Sequence, residues 1–286
     1  MSSTQSADRR HCGTGLYLRI RPSSGWRALD LSQVWQYRDL LFTLAARDVK
    51  LRYKQTALGV IWVVLQPLIA AGIFTFVFGK VAKMPSHGVP YFPFAYAGLL
   101  GWSAFSGTLT KSSACLVGNA HLISKVFFPR LILPLSTVIS SLLDFAVALV
   151  MMFALLVIYG VPFGFSMLLL PVWLLLILLF ATGVGLLTAA MTVTYRDVQY
   201  VLPVAVNFLM YASPVAYPVS IVPENLRWIY DLNPLASLLE CFRWSLLGTG
   251  AVPVLSITYS AVLGVLVFIT GAFAFKRMER SFADVI

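Results

Sequence analysis

The sequence predicts an all-α integral membrane protein. It has six transmembrane helices, an N-terminal amphipathic interfacial helix, and a re-entrant extracytoplasmic helical hairpin before the last span. Three observations carry this reading. The 286-residue chain is 59% hydrophobic and only 11% charged, with a mean hydropathy of +0.84. A soluble domain is nearer 45–50% apolar and about 25% charged. Several apolar runs reach the ~20 residues that a helix needs to cross a bilayer. Lys and Arg, finally, are spread unevenly between alternate connections.

The spans fall at about 58–78, 94–110, 131–159, 167–194, 201–217 and 254–275. Gly160, Pro162 and Gly164 make a short turn between the third and fourth. The fifth is short and holds Pro203, Asn207 and Pro214, which a span tolerates when neighbouring helices satisfy the freed backbone. Residues 1–35 mix Ser, Thr and Arg with little periodicity and are expected to be a poorly ordered cytoplasmic tail. The first long apolar run begins near Leu58, too late and too long for a cleaved signal peptide. One set of connections and both tails carry 17 Lys and Arg, against four on the other side (Lys80, Lys83, Arg227 and Arg243). The positive-inside rule then puts both termini in the cytoplasm, as an even number of spans requires.

Residues 38–56, before the first span, read as a basic helix. At 100° per residue Thr43, Arg47, Lys50 and Lys54 share one narrow face. Asp48 and Arg52 stand in the favourable i,i+4 order for an ion pair. Such a helix lies in the membrane interface with its cations near anionic headgroups, and Gly59 offers a bend into the first span. It is either a simple positive-inside anchor or a helix at the cytoplasmic mouth of a pathway, where cations meet an anionic substrate head.

Residues 218–248 are too polar to span and fit two short helices. Pro223 suits the first helical position of one, with Glu224 in its first turn. The other takes Asn233 as N-cap, Pro234 at its first position and Gly248 at its end. A pair dipping into the membrane must be buried in protein or line a cavity; the alternative is a pair lying at the interface.

Asp144 falls near mid-depth of the third span. An ionised carboxylate there costs several kcal/mol unless partnered, so it reads either as a functional group or as half of a helix–helix hydrogen bond. Aromatics crowd the ends of spans one and two and the fifth span. They form either an interfacial belt or a lining on which sugar rings slide, because flat rings meet the C–H faces of sugars without fixing a register.

Composition and motifs also exclude. The net charge of +10 is explained by cytoplasmic loops, with no call for nucleic acid. Cys12, Cys115 and Cys241 form no CxxC pair and no metal spacing. His11, His87 and His121 lie in separate loops and read as solvated surface residues. There is no GxxxxGK[ST], since Gly79-Lys80 is followed by Val81, and no HExxH or GxSxG. The chain therefore has no phosphate-binding loop, no metal site and no cofactor of its own. Proton-coupled carriers show several ionisable residues at mid-membrane. With Asp144 alone there, uphill transport points to a separate ATPase.

Four stretches together are distinctive: RDVKLRYKQTALGVIWVVLQPL at 47–68, with the pattern LGxxWxxxxP; SKVFFPRLILPL at 124–135; YRDVQY at 195–200; and SPVAYP with LNPL at 213–218 and 232–235. They resemble the permease subunit of ABC-2 type exporters, in the branch that exports polysaccharides such as O-antigen, capsule and teichoic acid. The resemblance covers the chain from about Tyr37 onward, so that 36–286 would be the permease domain. It implies a homodimer in the inner (plasma) membrane, with two copies of an ABC ATPase subunit that bind the ATP and Mg. Residues 38–56 would be a gate helix, with Arg47, Lys50, Arg52 and Lys54 facing the anionic head of an undecaprenyl-type, lipid-linked polysaccharide. Residues 111–130 would hold the coupling helix, with His121, Lys125 and Arg130 toward the ATPase, joined by Arg196 and Asp197. The hairpin at 218–248, around Asn233 and Pro234, would be the periplasmic gate. A channel between two copies would be lined by Phe74, Phe78, Tyr91, Phe92, Tyr96, Trp102, Phe105, Phe208 and Tyr211. The alternative within the family is an exporter of a small drug or lipid, against which the aromatic load and the basic helix argue. A lipid-dependent glycosyltransferase would need carboxylates at a membrane face, and Asp144 and Asp197 are poorly placed for that.

Overall fold

The computed structural model describes residues 31–54, 59–250 and 254–279. Helix is the only regular structure among them, in eleven α-helices. The tail expected at 1–35 lies outside the described residues except at its end, where α1 (Leu31–Gln36) is helical. The basic helix is α2 (Arg38–Lys54); the bend expected near Gly59 falls where 55–58 are not described.

Helix α3 (Gly59–Phe74) continues into a π-helical turn, Thr75–Val81. Next come α4 (Tyr91–Gly118), α5 (Ala120–Lys125) and α6 (Ile132–Ile158). A 3-10 turn, Phe165–Leu169, leads into α7 (Leu170–Thr194), followed by α8 (Val198–Ala212). The chain ends in α9 (Arg227–Leu232), α10 (Pro234–Leu247) and α11 (Val254–Met278).

Four of these, Ile61–Val81, Ile132–Ile158, Phe165–Thr194 and Val254–Met278, are long and apolar enough to cross a membrane, which makes this a multi-pass membrane protein. On α6 the exposed apolar residues Leu143, Val150 and Val157 recur every seven positions, a single lipid-facing stripe. The other two predicted spans differ for physical reasons. Helix α4 has 28 residues, about 42 Å at 1.5 Å per residue, so length is not in question. It packs against α3, α6, α7 and α10, and a helix wrapped in protein has no need of a uniformly apolar surface. Its glycines and serines let neighbours approach instead: a Cβ on Gly101 would lie 2.9 Å from Leu239, and one on Gly185 of α7 would lie 2.7 Å from Ser112. Helix α8 has 15 residues, about 22 Å, short of the ~30 Å hydrocarbon core.

Side-chain bonds sort the connections to two ends. At the basic end, Ser113 Oγ meets Thr192 Oγ1 at 3.4 Å, joining the C-terminal turns of α4 and α7. Arg47 Nη2 donates to Asn119 Oδ1 at 2.7 Å, bringing in α2, and Arg130 Nη1 donates to the Glu279 carbonyl at 2.7 Å, bringing in the end of α11. At the opposite end, the loop 213–218 is clamped. Tyr91 donates to the Ala216 carbonyl at 2.5 Å, Arg243 Nη1 to the Val215 carbonyl at 3.4 Å, and Asn233 Nδ2 to Ser213 Oγ at 3.0 Å. Gly98 lets the Val215 carbonyl in, since a Cβ there would lie 2.0 Å from that oxygen.

Candidate functional site: a polar groove from the basic end into the bundle

The site begins with α2, which packs along α6. Leu44 and Ala45 are buried while Phe42 and Leu51 stay exposed. Of the cations expected on one face, Lys50 and Lys54 are exposed. Arg47 is not free: Nη2 bonds Asp48 Oδ1 at 2.8 Å as well as Asn119. The expected Asp48–Arg52 pair involves a side chain outside the described residues; Asp48 has Arg47 beside it. Arg47→Gln should therefore cost about 1–3 kcal/mol, because a charged hydrogen bond between α2 and α4 is lost. Lys50→Gln should stay within ~0.5 kcal/mol. Thermal unfolding of the two purified variants distinguishes them, and equal melting points would refute the division.

Asp144 is partnered. Lys111 Nζ lies 2.7 Å from its Oδ2 and 3.5 Å from Ser140 Oγ, each side chain of the ion pair being 20% exposed. The second span was expected to end near residue 110, just before Lys111. That is corrected: α4 runs on through Lys111 to Gly118, because nothing before Gly118-Asn119 stops a helix. Two cavities share this pair. One, about 210 Å³, lies at the basic end among Asp48, Asn119, Thr137 and Ser140. The other, about 410 Å³, runs between α3, α4, α6 and α8, past Gln66, Trp102, Ser103, Phe145 and Met210.

The aromatic residues divide by exposure. Phe208 (75%) and Tyr211 (65%) stand on the open face of α8 with Val201 and Val204. Phe74 and Phe78 meet edge-on at 5.6 Å, and Phe92 stacks on the exposed Tyr159 at 6.1 Å; Phe74, Phe78, Phe92 and Tyr91 are half-buried. Trp102 is buried but lines the larger cavity. Tyr96 and Phe105 are a correction: at 0% and 1% exposure they are core residues, with Tyr96 bonded to the Ala148 carbonyl at 3.0 Å and Phe105 stacked on Phe180. They sit on the faces of α4 turned toward α6 and α7, away from any surface.

At the basic end, His121 and Lys125 on α5 are exposed, as are Arg196 and Asp197 in the turn before α8. Arg130 is tied to Glu279 through both its backbone N–H and its guanidinium, so it braces the bundle. At the other end, Asn233 caps α10, accepting from Leu235 N at 3.1 Å, and Pro234 follows at the first position. Gly248 closes the helix at φ 68°, a left-handed conformation that suits glycine. Among the described residues no group of three or more His, Cys, Asp or Glu stands together to hold a metal.

The family model for ABC-2 type transporters matches residues 39–247. The chain belongs to the ABC-2 type transporter family. As an ABC-2 membrane subunit it is a transport component and not itself a catalyst. It is 30% identical to an O-antigen export system permease protein of Klebsiella pneumoniae over 251 residues, 87% of this chain and 95% of the relative. The Myxococcus xanthus protein of the same name is 32% identical over 214 residues, 74% and 81% of the two chains. A polysialic acid transport protein of Escherichia coli is 27% identical over 250 residues, covering 83% and 93%.

Three features of this ABC-2 chain escape sequence reasoning. Lys111 is one; the helix-stop signal at Gly118-Asn119 would have revealed it. The second is Val126 and Phe127, which are 52% and 71% exposed just after α5. The third is Arg243, buried within α10, with its guanidinium 4.2 Å from the Phe94 ring. Only its position four residues from the end of an amphipathic helix hints at that role.

Proposed function

We propose that this chain is the transmembrane permease subunit of an ATP-driven ABC exporter that moves a lipid-linked, O-antigen-like polysaccharide out of the cytoplasm. The observation that carries it is the similarity, over 74–87% of this chain, to two proteins named for O-antigen export and one named for polysialic acid transport. The fold supports the same reading. One end of the bundle is basic and presents α2, α5 and the turn at 195–197, which suits a cytoplasmic face with both termini. The groove beginning there is polar at its mouth and aromatic deeper in.

In this reading the bundle lies in the inner membrane with six spans, α4 and α8 adding to the four apolar helices; α8 is too short to cross alone, and the protein-buried segment 213–218 completes its crossing. Helices α9 and α10 form the re-entrant gate, α10 being packed on α4, α7 and α11 as backbone at membrane depth requires. Two copies pair through the apolar and aromatic faces of α3, the π-helical turn after it and α8, where Trp62, Ile69, Phe76, Phe208 and Tyr211 are exposed, and the glycan passes between them. A separate ATPase subunit binds ATP and Mg and docks at the basic end. The carrier is an undecaprenyl-type lipid whose phosphates meet Lys50 and Lys54.

Depletion of the protein in its host tests this. Lipid-linked polysaccharide should accumulate inside while surface polysaccharide is lost, a block that a missing transporter imposes whatever the rate of synthesis. Normal pools on both sides of the membrane would overturn the export reading.

A further inference from the structure

The Lys111–Asp144 pair lines both the cavity at the basic end and the deeper groove. Lys111 lies seven residues before Gly118, the last residue of α4, so it sits about 10 Å inward from that helix end. An ammonium at such depth needs a partner, and Asp144 supplies one at 2.7 Å. The pair is still 20% exposed, so both groups can be reached from the cavities. Asp48, the other carboxylate facing the smaller cavity, is held by Arg47 at 2.8 Å, which quiets its repulsion of an anion. Ser140 adds a hydroxyl, its Oγ 3.5 Å from the Lys111 ammonium. Beyond the pair, the larger groove has an apolar side, with Pro67, Phe145 and Ala148, and a polar edge, with Gln66 and Ser103. A charged head followed by an apolar chain has that same profile.

We infer that Lys111 is a transit site for the phosphate oxygens of a polyprenyl-borne diphosphate, and that Asp144 is the competitor that takes the ammonium back. This deepens the export reading and rests on it. A lysine is suited to the task, since its compact charge rides on a flexible stem with three donors. Conduction needs a site that binds well enough to admit its cargo and weakly enough to release it. A carboxylate already on the ammonium provides the release: the phosphate displaces Asp144 on arrival, and Asp144 displaces the phosphate on departure. Lys50 and Lys54, exposed and screened by salt, collect the anion; Lys111 is the next cation inward.

The two members of the pair therefore have opposite effects on binding, which a purely structural ion pair does not have. The permease, purified with its ATPase subunit, is titrated with farnesyl diphosphate, farnesol and inorganic phosphate. Wild type should bind farnesyl diphosphate and not farnesol. Lys111→Gln should weaken that binding about tenfold or more, the loss of one charge-assisted contact, and Lys111→Arg should stay within about threefold. Asp144→Asn should tighten it about tenfold and slow export, because the cargo is held. The double variant Lys111→Gln/Asp144→Asn removes both charges together, so it keeps the test open if Lys111→Gln alone does not fold; it should remain deficient in binding and export.

A double variant that exports like wild type would overturn the site and leave a structural pair. So would Asp144→Asn weakening binding in step with Lys111→Gln. Displacement of farnesyl diphosphate by an equal concentration of inorganic phosphate would overturn the lipid-borne source. The two readings fail separately. Depletion without loss of surface polysaccharide removes the export function itself. Loss of export on depletion, with a fully active Lys111→Gln, removes only the transit site.

Discussion

Gly98→Val should leave almost no folded protein, and Gly98→Ala should lose at least about 2 kcal/mol, the cost of overpacking a site that cannot relax cheaply. The cause is a single close approach. A Cβ at position 98 would stand 2.0 Å from the Val215 carbonyl oxygen and 3.0 Å from its carbon, so backbone must move, with no flexible side chain to absorb the shift. That backbone is held on both sides. The same Val215 carbonyl accepts from Arg243, and the next carbonyl, of Ala216, accepts from Tyr91 at 2.5 Å. Pushing the loop away strips a partner from a buried guanidinium, which is far costlier than losing a neutral contact. Gly107→Ala is the control on the same helix. Nothing lies within 4 Å of a Cβ there, and alanine is the better helix former by ~1 kcal/mol, so its melting temperature should hold or rise. Equal melting temperatures for Gly98→Ala and Gly107→Ala would refute the clamp.

That clamp also shows what could and could not be read from the sequence. Asn233, Pro234 and Gly248 were legible because capping is local: a side-chain acceptor, a residue without an N–H and a residue free at φ 68° mark a helix wherever it packs. The apolar spans α3, α6, α7 and α11 were legible from run length for the same reason. The role of Gly98 was not, because a glycine in a helix carries no mark of the carbonyl 117 positions along the chain, at Val215, that needs its missing Cβ. Helix α4 misled in both directions. Its polar residues suggested an early end at Lys111, although they are polar because protein and not lipid surrounds them. Its aromatic residues suggested a lining, although Tyr96 and Phe105 fill the core. Asp144 was flagged by cost alone; the identity of its partner needed the fold, since Lys111 and Asp144 meet only when α4 and α6 lie side by side.

Phe127→Asp should separate the permease from its ATPase subunit while leaving the permease folded. The chain after α5 is extended, with Val126 at φ −128° and ψ 132°, so neighbouring side chains point in opposite directions. Phe128 is 5% exposed and packs into the core with Leu131 and Ile132, whereas Phe127 is 71% exposed. One ring therefore anchors the segment and the next is held out by it. Lys125 and His121 flank Phe127, and Arg196 and Asp197 stand exposed at the same end of the bundle, which marks this region as facing water and not lipid. An aromatic ring held rigidly in water among charges is what a partner surface buries. Aromatic anchors buried by a partner carry about 2 kcal/mol or more each, so the permease–ATPase affinity should fall about thirtyfold or more. The same variant should leave thermal stability within ~0.5 kcal/mol, as an exposed substitution does, and Phe128→Asp should unfold the basic end by forcing a charge into the core. Co-purification and nucleotide hydrolysis of the assembled transporter give the readout. A Phe127→Asp permease that holds its ATPase as tightly as wild type would move the docking surface elsewhere, and Arg196 and Asp197 would be the next residues to change.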